Sequence, residues 1–434
     1  MATTVSLEIA VIGAGAAGLA ATKYLLAEGH KVLLIERRND SAGVWNNGSA
    51  CIGGSQWADP VYDTLQTNVP PVVNLRRCQN DYQKKWEIQT ITKLPSGKEE
   101  EIPPIHVDAA IVATGHYDKP YDPPAEPGKQ QWEKKFPTSI IHAHDFKNVT
   151  PFIRKNVVII GNGPSGWDIS SQLKDVAKSV TMSLRGFTLP DGRMRIVSDG
   201  VTSKVLTISR YYPKARKIEF ACGTMAHDVD YIIYCTGYEY DFSFIVKNRA
   251  GQELFPKGQK VERLYEHIFY TAEPTLAFIG LPKMTAAFTI AEAQSAYVAR
   301  VFSNRLDRPT QQEVRTYFKT MSKECEEDNM SCQQYHTLAP SRDRDYINHL
   351  VSMALKARPF KHGTRGKPPP YWCHCMDSAR HLSRDARAAH KAKGDVRHAF
   401  RSFKDLEIPL KAPCTGDHLT AIPAGCVACF IPHE

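Results

Sequence analysis

Residues 9–37, IAVIGAGAAGLAATKYLLAEGHKVLLIER, decide the fold. An apolar run at 9–12 ends in Gly13, Gly15 and Gly18. A helix-forming stretch then reaches about Glu28, and a second apolar run at 32–35 stops at Glu36. Strand, glycine turn, helix, strand and acid in this order specify a dinucleotide-binding unit. Gly13 makes the tight turn, Gly15 lets backbone amides approach a pyrophosphate, and Gly18 lets the helix pack on the sheet. The pyrophosphate sits on the positive end of the helix. Glu36 stands where a carboxylate accepts hydrogen bonds from a ribose diol. The alternative, a glycine-rich turn that binds nothing, does not account for the acid in register.

A chain of 434 residues suits two or three domains and buries a large core. The formal charge of +9 is spread along the sequence, densest in the last quarter, and reads as a solvated surface or as attraction to anionic cofactors. No nucleic-acid partner is expected. No basic-then-apolar leader precedes the first strand, so no cleaved signal and a cytoplasmic location are expected. No apolar run reaches the length of about 18 residues that a membrane helix requires. Residues 421–432 come nearest, but they are short and carry Pro423 and Pro432. The 11 cysteines are mostly scattered and read as free thiols. Cys373 with Cys375 and Cys426 with Cys429 could supply four thiolates to zinc, but no ribbon or finger surrounds them, and no metal is expected.

Past Glu36, a glycine-, serine- and asparagine-rich stretch runs to Ser55. Strands are expected at 72–75 and 86–91, with a turn at Pro95, Ser96 and Gly97, and a buried strand at 107–114. Proline-rich 119–128 reads as a linker. Residues 157–160 then lead into Gly161, Asn162, Gly163, Pro164, Ser165 and Gly166, a second dinucleotide turn with a helix to about Val176. Its second strand is expected at 180–182. Counted from the first glycine, the position matching Glu36 is Leu184, flanked by Ser183 and Arg185. A carboxylate there would repel a 2′-phosphate, whereas a hydroxyl and a guanidinium bind it, so the second site should prefer NADPH to NADH. Further strands are expected at 231–236 and 276–280 and helices at 289–302, through much of 309–355, at 377–392 and at 396–406.

The set of GAGAAG at Gly13, Gly43 with Trp45, Thr67 with Asn68, Ala113-Thr114-Gly115, GNGPSG at Gly161 and Cys235-Thr236-Gly237-Tyr238 resembles the flavin-containing monooxygenases. Residues 136–146 are similar to that family's FxGxxxHxxx(F/Y) fingerprint, and residues 369–372, PPYW, fit more loosely. The resemblance implies an α/β fold with two Rossmann-like domains, the NADPH domain inserted in the FAD domain, plus C-terminal helices. The expected limits are 1–148 and 238–360 for FAD, 149–237 for NADPH and 361–434 for a helical extension. Cofactor contacts are expected from Gly13, Gly15, Gly18, Glu36, Trp45, Thr67, Val72, Thr114, Gly115, Gly161, Gly163, Ser165, Gly166, Ser183, Arg185, Thr236 and Gly237.

The resemblance further implies that NADPH reduces FAD, which reacts with dioxygen to a C4a-hydroperoxide and oxygenates a small nitrogen or sulfur nucleophile. Asn68 would be the catalytic residue, a neutral amide that hydrogen-bonds the bound oxygen species or NADP+ without delivering a proton. Its other reading is a turn residue before Pro70. His142 supports the hinge and the nicotinamide, or is a core histidine. Trp45 lines the flavin cavity, or simply packs. Arg185 has the other reading of a surface cation. A homodimer stays open.

Two departures from the family pattern stand out. Thr138 replaces the fingerprint glycine. After Asn68, Pro70 and Pro71 pass directly to Val72, where the family has an aromatic- and proline-rich stretch, a helix and a parallel strand. A natural shortened variant and a coding segment lost or wrongly joined both account for this. Such a loss would uncover an apolar face and open the wall that keeps water from the flavin. Three rival readings follow. A disulfide reductase shares both turns but needs a cysteine pair facing flavin, and no CxxC lies between the two turns. A Baeyer-Villiger monooxygenase has a similar fold and attacks ketones. A nucleotide-binding protein that has lost catalysis fits the missing segment.

Overall fold

The computed structural model describes residues 5–36, 43, 72–78, 85–93, 99–185, 197–198, 202–247, 252–338, 342–360, 366–394, 396 and 405–409. Trp45, Thr67, Asn68, the turn at 95–97, the second cysteine pair and most of the helix expected at 396–406 lie outside this set. His116–Tyr240 forms one compact unit, and the described residues before and after it form another.

The elements in chain order begin with β1 (Glu8–Ile12), α1 (Ala16–Ala27), β2 (Lys31–Ile35), β3 (Val72–Arg77), β4 (Trp86–Lys93), β5 (Glu99–Val107) and β6 (Ala109–Val112). Next come β7 (Lys119–Pro120), α2 (Lys129–Lys135), β8 (Ile140–His142), β9 (Asn156–Ile160), α3 (Pro164–Leu173), β10 (Ser179–Ser183), β11 (Val197–Ser198) and β12 (Thr202–Val205). A run of strands follows: β13 (Ile208–Tyr212), β14 (Lys217–Phe220), β15 (Met225–Ala226), β16 (Tyr231–Tyr234) and β17 (Tyr238–Glu239). The remainder is β18 (Leu264–Tyr265), β19 (Phe269–Tyr270), β20 (Leu276–Phe278), α4 (Ala287–Phe302), α5 (Gln311–Glu327), α6 (Arg342–Leu355) and α7 (His374–Ala392).

In the first unit the main sheet has the order β18-β19-β20-β6-β1-β2. β1 runs parallel to both β2 and β6, and β20 runs parallel to β6. Ile9, Ala10 and Val11 in β1 are fully buried, which is why the strand reads as an unbroken apolar run rather than an alternating one. α1 buries Gly18, Ala20, Ala21, Tyr24 and Leu25, and it packs in one core with α4 residues such as Ala293 and Ala296. Small residues on both helices allow that close approach.

β3, β4 and β5 form a separate antiparallel sheet. Its register shifts between Ile88 and Thr90, opposite Pro103 and Pro104, which have no amide hydrogen to offer the ladder. The single strand expected at 107–114 is divided at Asp108. That residue's Oδ2 accepts the backbone N–H of Glu8 at 2.8 Å, so β5 ends in one sheet and β6 starts in the other.

The second unit carries the sheet β11-β12-β10-β9-β16-β8, in which β12, β10, β9, β16 and β8 are parallel. Val157, Val158 and Ile159 of β9 are buried, with Ile169 and Leu173 of α3 on one face. The linker expected at 119–128 is not a loose tether. β7 pairs antiparallel with β17, Lys129 Nζ reaches Asp122 at 2.6 Å, and Tyr211 N–H donates to Pro127 O at 2.8 Å. Prolines in a short edge strand do not interrupt a ladder that ends there.

Candidate functional site

The two glycine turns are built alike. Gly13 has φ +102° and donates its N–H to Ile35 O at 2.8 Å, and a side chain there would meet Ala113 O at 2.6 Å. Gly161 has φ +108° and donates to Ser183 O at 2.9 Å, and a side chain there would meet Cys235 O at 2.4 Å. Each first glycine is thus wedged between two strands in a conformation that L side chains rarely adopt. The third glycines touch the first ones. A Cβ at Gly18 would lie 1.7 Å from Gly13 O, and one at Gly166 would lie 2.3 Å from Gly161 O.

The middle glycines face room. A Cβ at Gly15 would meet nothing nearer than Gly43 Cα at 4.0 Å, and one at Gly163 would meet nothing within 4 Å. Each caps its helix in an extended conformation with no side-chain hydrogen bond, and neither first turn contains an acid. The helix amides and the positive end of the dipole are therefore left to an anion, which is the fit a dinucleotide pyrophosphate needs. Ser165 lies in the first turn of α3 behind Pro164.

The strand ends separate the two turns chemically. Glu36 Oε2 accepts the N–H of Ala14 at 2.6 Å, which holds the carboxylate beside the first turn. In the second turn Leu184 is buried at 5% exposure, and Arg185 is exposed. Ser183 departs from the expectation. Its side chain is buried and its hydroxyl donates to Leu206 O at 3.0 Å, because a strand residue facing the sheet interior must satisfy its donor locally. Arg185 is then the cation that follows the strand end in the chain.

The remaining expected residues fall at strand ends. Thr114 is exposed past β6 and is followed by Gly115, whose φ is +74°. Thr236 Oγ1 donates to Tyr121 O at 2.6 Å, and Tyr121 N–H donates to Gly237 O at 2.9 Å. Val72 opens β3. His142 ends β8, accepts the N–H of His144 on Nδ1 at 3.0 Å and stands edge-on to Tyr238 with centroids 5.1 Å apart. Burial pushes its imidazole down to about 4, against the opposing pull of Asp145 and the Gly237 backbone. Its ring is neutral at pH 7 and packs against Tyr238 in the loop after β16.

The sequence reading missed Gln294. This fully buried amide accepts Gly280 N–H at 2.8 Å and donates to Tyr346 Oη at 2.9 Å, fixing the turn after β20 beside Ala17 of α1. The available signal was one amide in the apolar run of α4. Cavities of about 390 and 230 Å³ lie against α5, and no glycine-turn residue lines either.

Known proteins agree with this geometry. Residues 7–261 match the pyridine nucleotide-disulphide oxidoreductase family, and residues 214–359 match the flavin-binding monooxygenase-like family. Flavin-containing monooxygenase FMO GS-OX2 of Arabidopsis thaliana is 31% identical over 373 residues, 71% of this chain and 77% of its own. FMO GS-OX-like 2 of the same organism is 28% identical over 416 residues, 80% of this chain and 85% of its own. The S-allyl-L-cysteine S-oxygenase structure from Allium sativum shares the fold with TM-score 0.68 at 23% identity, covering 94% of this chain and 98% of that one. Tmm from Pelagibacter sp. strain HTCC7211 does so with TM-score 0.61 at 21% identity, covering 91% and 93%. Among the described residues no helix is long and apolar enough to cross a membrane. With two dinucleotide turns of one design, an acid at the first and a cation at the second, the chain belongs to the flavin-containing monooxygenases, oxidoreductases that carry FAD and use NADPH.

Proposed function

We propose that this enzyme draws hydride from NADPH and oxygenates a soft sulfur or nitrogen nucleophile, with a thioether as its preferred class. The observation that carries the reading is the contrast at the two strand ends, Glu36 in one and Leu184 with Arg185 in the other. Flavin supplies the redox chemistry: once reduced by nicotinamide it activates dioxygen and passes on one oxygen atom. The chain supplies binding and orientation. The amides of α1 and α3 hold the two pyrophosphates, Glu36 accepts from a ribose diol, and Arg185 pairs with the 2′-phosphate. His142 positions the loop at Gly237, and Asn68 offers its amide to the oxygen species without giving up a proton. We assign NADPH to the unit His116–Tyr240, whose sheet takes in β8 ahead of the expected limit at 149, and FAD to the other unit. The sulfur preference takes support from the S-oxygenase among the structural neighbours.

Stopped-flow mixing of the NADPH-reduced enzyme with air tests the reading. A transient absorbing species should precede flavin reoxidation, and its decay should accelerate with a thioether and hardly respond to a cyclic ketone. Acceleration by the ketone alone transfers the enzyme to the Baeyer-Villiger class. A flavin that NADPH does not bleach removes the reductive step altogether.

A further inference from the structure

The end of β3 and the adjacent strands β4 and β5 bring a thiol, a carboxylate and an imidazole together on one face of their sheet. His106 lies directly opposite Glu87, and Glu87 lies directly opposite Arg76. Cys78 is two residues beyond Arg76, so it returns to the same face and sits diagonal to Glu87, with its own N–H bonded to Lys85 O at 2.9 Å. The ligand atoms of Cys78, Glu87 and His106 all lie within 4.8 Å of one another. His106 Nε2 and Glu87 Oε2 are 3.6 Å apart, while Glu87 Oε1 accepts Arg76 Nε at 2.9 Å. Glu87 has a side-chain exposure of 14% and His106 one of 41%, so the cluster has a protein floor and an open side.

We infer that Cys78, Glu87 and His106 form a zinc-binding site with an open fourth position. The donor set decides the ion. One thiolate, one imidazole and one carboxylate are the ligands of a borderline cation, and calcium or magnesium would want oxygen donors only. Tetrahedral zinc at about 2.0–2.3 Å from each ligand needs donor atoms about 3.5 Å apart. The ladder bonds fix the three backbones, so the remaining distance is left to side-chain rotation. Arg76 offsets one of the two negative charges that the thiolate and the carboxylate bring. It also holds Glu87 by Oε1, with Oε2 turned toward the imidazole. A bound ion would pin β3 to β4 and β5, and β3 is the strand that follows Asn68 and Pro70 in the chain. No sequence spacing announces the site, since its members come from the end of β3, from β4 and from β5, and their proximity is made by register alone.

The full-length flavin-loaded enzyme, freed of metal with a chelator, is titrated with Zn2+ alone by calorimetry and with Co2+ alone by absorption. One equivalent should bind, Co2+ should show a thiolate charge-transfer band, and Zn2+ should raise the melting temperature. Cys78→Ser should abolish the charge-transfer band, and His106→Ala should weaken Zn2+ binding at least tenfold, with flavin content unchanged in both. If both variants bind Zn2+ as the wild type does, the metal resides on other cysteines. If the wild type binds none at micromolar concentration, Arg76, Glu87 and His106 are an ion-pair ladder only. Either result overturns the site.

Discussion

At the scale of the residue, the glycines of the second turn separate folding from binding. Gly166 has no room for a side chain, whereas Gly163 has an extended backbone, φ −73°, and open space in front of it. Gly166→Ala should therefore cost about 3 kcal/mol or more, seen as a lowered denaturation midpoint. Gly163→Ala should leave stability within about 0.5 kcal/mol while the KM for NADPH rises and FAD content holds. Equal thermal effects of the two changes would contradict the packing argument. Arg185→Ala should raise the KM for NADPH about tenfold or more and leave that for NADH within about twofold, because only the phosphorylated cofactor has a charge for the guanidinium to meet. Matching losses with both cofactors would assign the 2′-phosphate to another group. These positions were legible in the sequence because the constraints are local: a turn, a close approach, an acid or its absence at a fixed spacing. The bond that the Ser183 hydroxyl makes was not legible, for the converse reason. Which face of a strand a side chain takes depends on its neighbours, and here the neighbour is Leu206.

At the scale of the element, buried polar pairs join segments that sequence patterning treats separately. Glu28, at the end of α1, accepts Arg305 Nη1 on both oxygens at 2.7 and 2.8 Å and also takes Ser303 Oγ at 2.9 Å. Both side chains are almost fully excluded from water, at 1% and 0% exposure. Removing one partner strands a charge, so Glu28→Gln should destabilise by about 3–5 kcal/mol, and equilibrium unfolding in urea would show it. A second pair sets a pH limit. Val261 N–H donates to His336 Nε2, so the His336 proton sits on Nδ1 and points at His267 Nδ1, 2.9 Å away. Burial pushes His267 down to about 4. Its folded value lies below the unfolded value of about 6.5, so the unfolded chain binds the extra proton. Stability is full above about 6.5 and is lost as pH falls towards 4, by on the order of 3 kcal/mol from this residue. His267→Phe should reduce the slope of the urea midpoint between pH 6.5 and 4, with the remainder left to other depressed imidazoles such as His142, and an unchanged slope would place the acid sensitivity elsewhere. Neither pair could be read from sequence, since each joins residues whose proximity only the fold creates. The helices α1, α3 and α4 and the parallel strands β1, β2, β9, β10, β16 and β20 were legible in the sequence, whereas α2, β8 and β12 were not anticipated. Nor was Asp108: its carboxylate bonds Glu8 from another strand and splits an otherwise continuous run.

At the scale of the whole molecule, the question is whether hydride consumed becomes product formed. Coupling requires that water and protons be kept from the flavin. The family pattern calls for a helix and a further parallel strand after Asn68, where this chain passes from Pro70 and Pro71 straight into β3. Among the described residues β2 is the edge of the main sheet, and Leu33 at its centre is 38% exposed, a site that a doubly wound sheet ordinarily covers. Both glycine turns are nonetheless formed among the described residues, so reduction and oxygen transfer should respond differently to the shortened segment. Flavin bleaching by NADPH should proceed at an ordinary rate, while most of the reducing equivalents emerge as hydrogen peroxide instead of sulfoxide. Parallel assays of NADPH oxidation, peroxide and oxygenated thioether measure the partition directly. Asn68→Ala should leave bleaching intact and shift the partition further towards peroxide. An enzyme that turns over one sulfoxide per NADPH, with or without Asn68, would mean that the flavin is shielded by other parts of the chain and that the departure after Asn68 has no catalytic consequence.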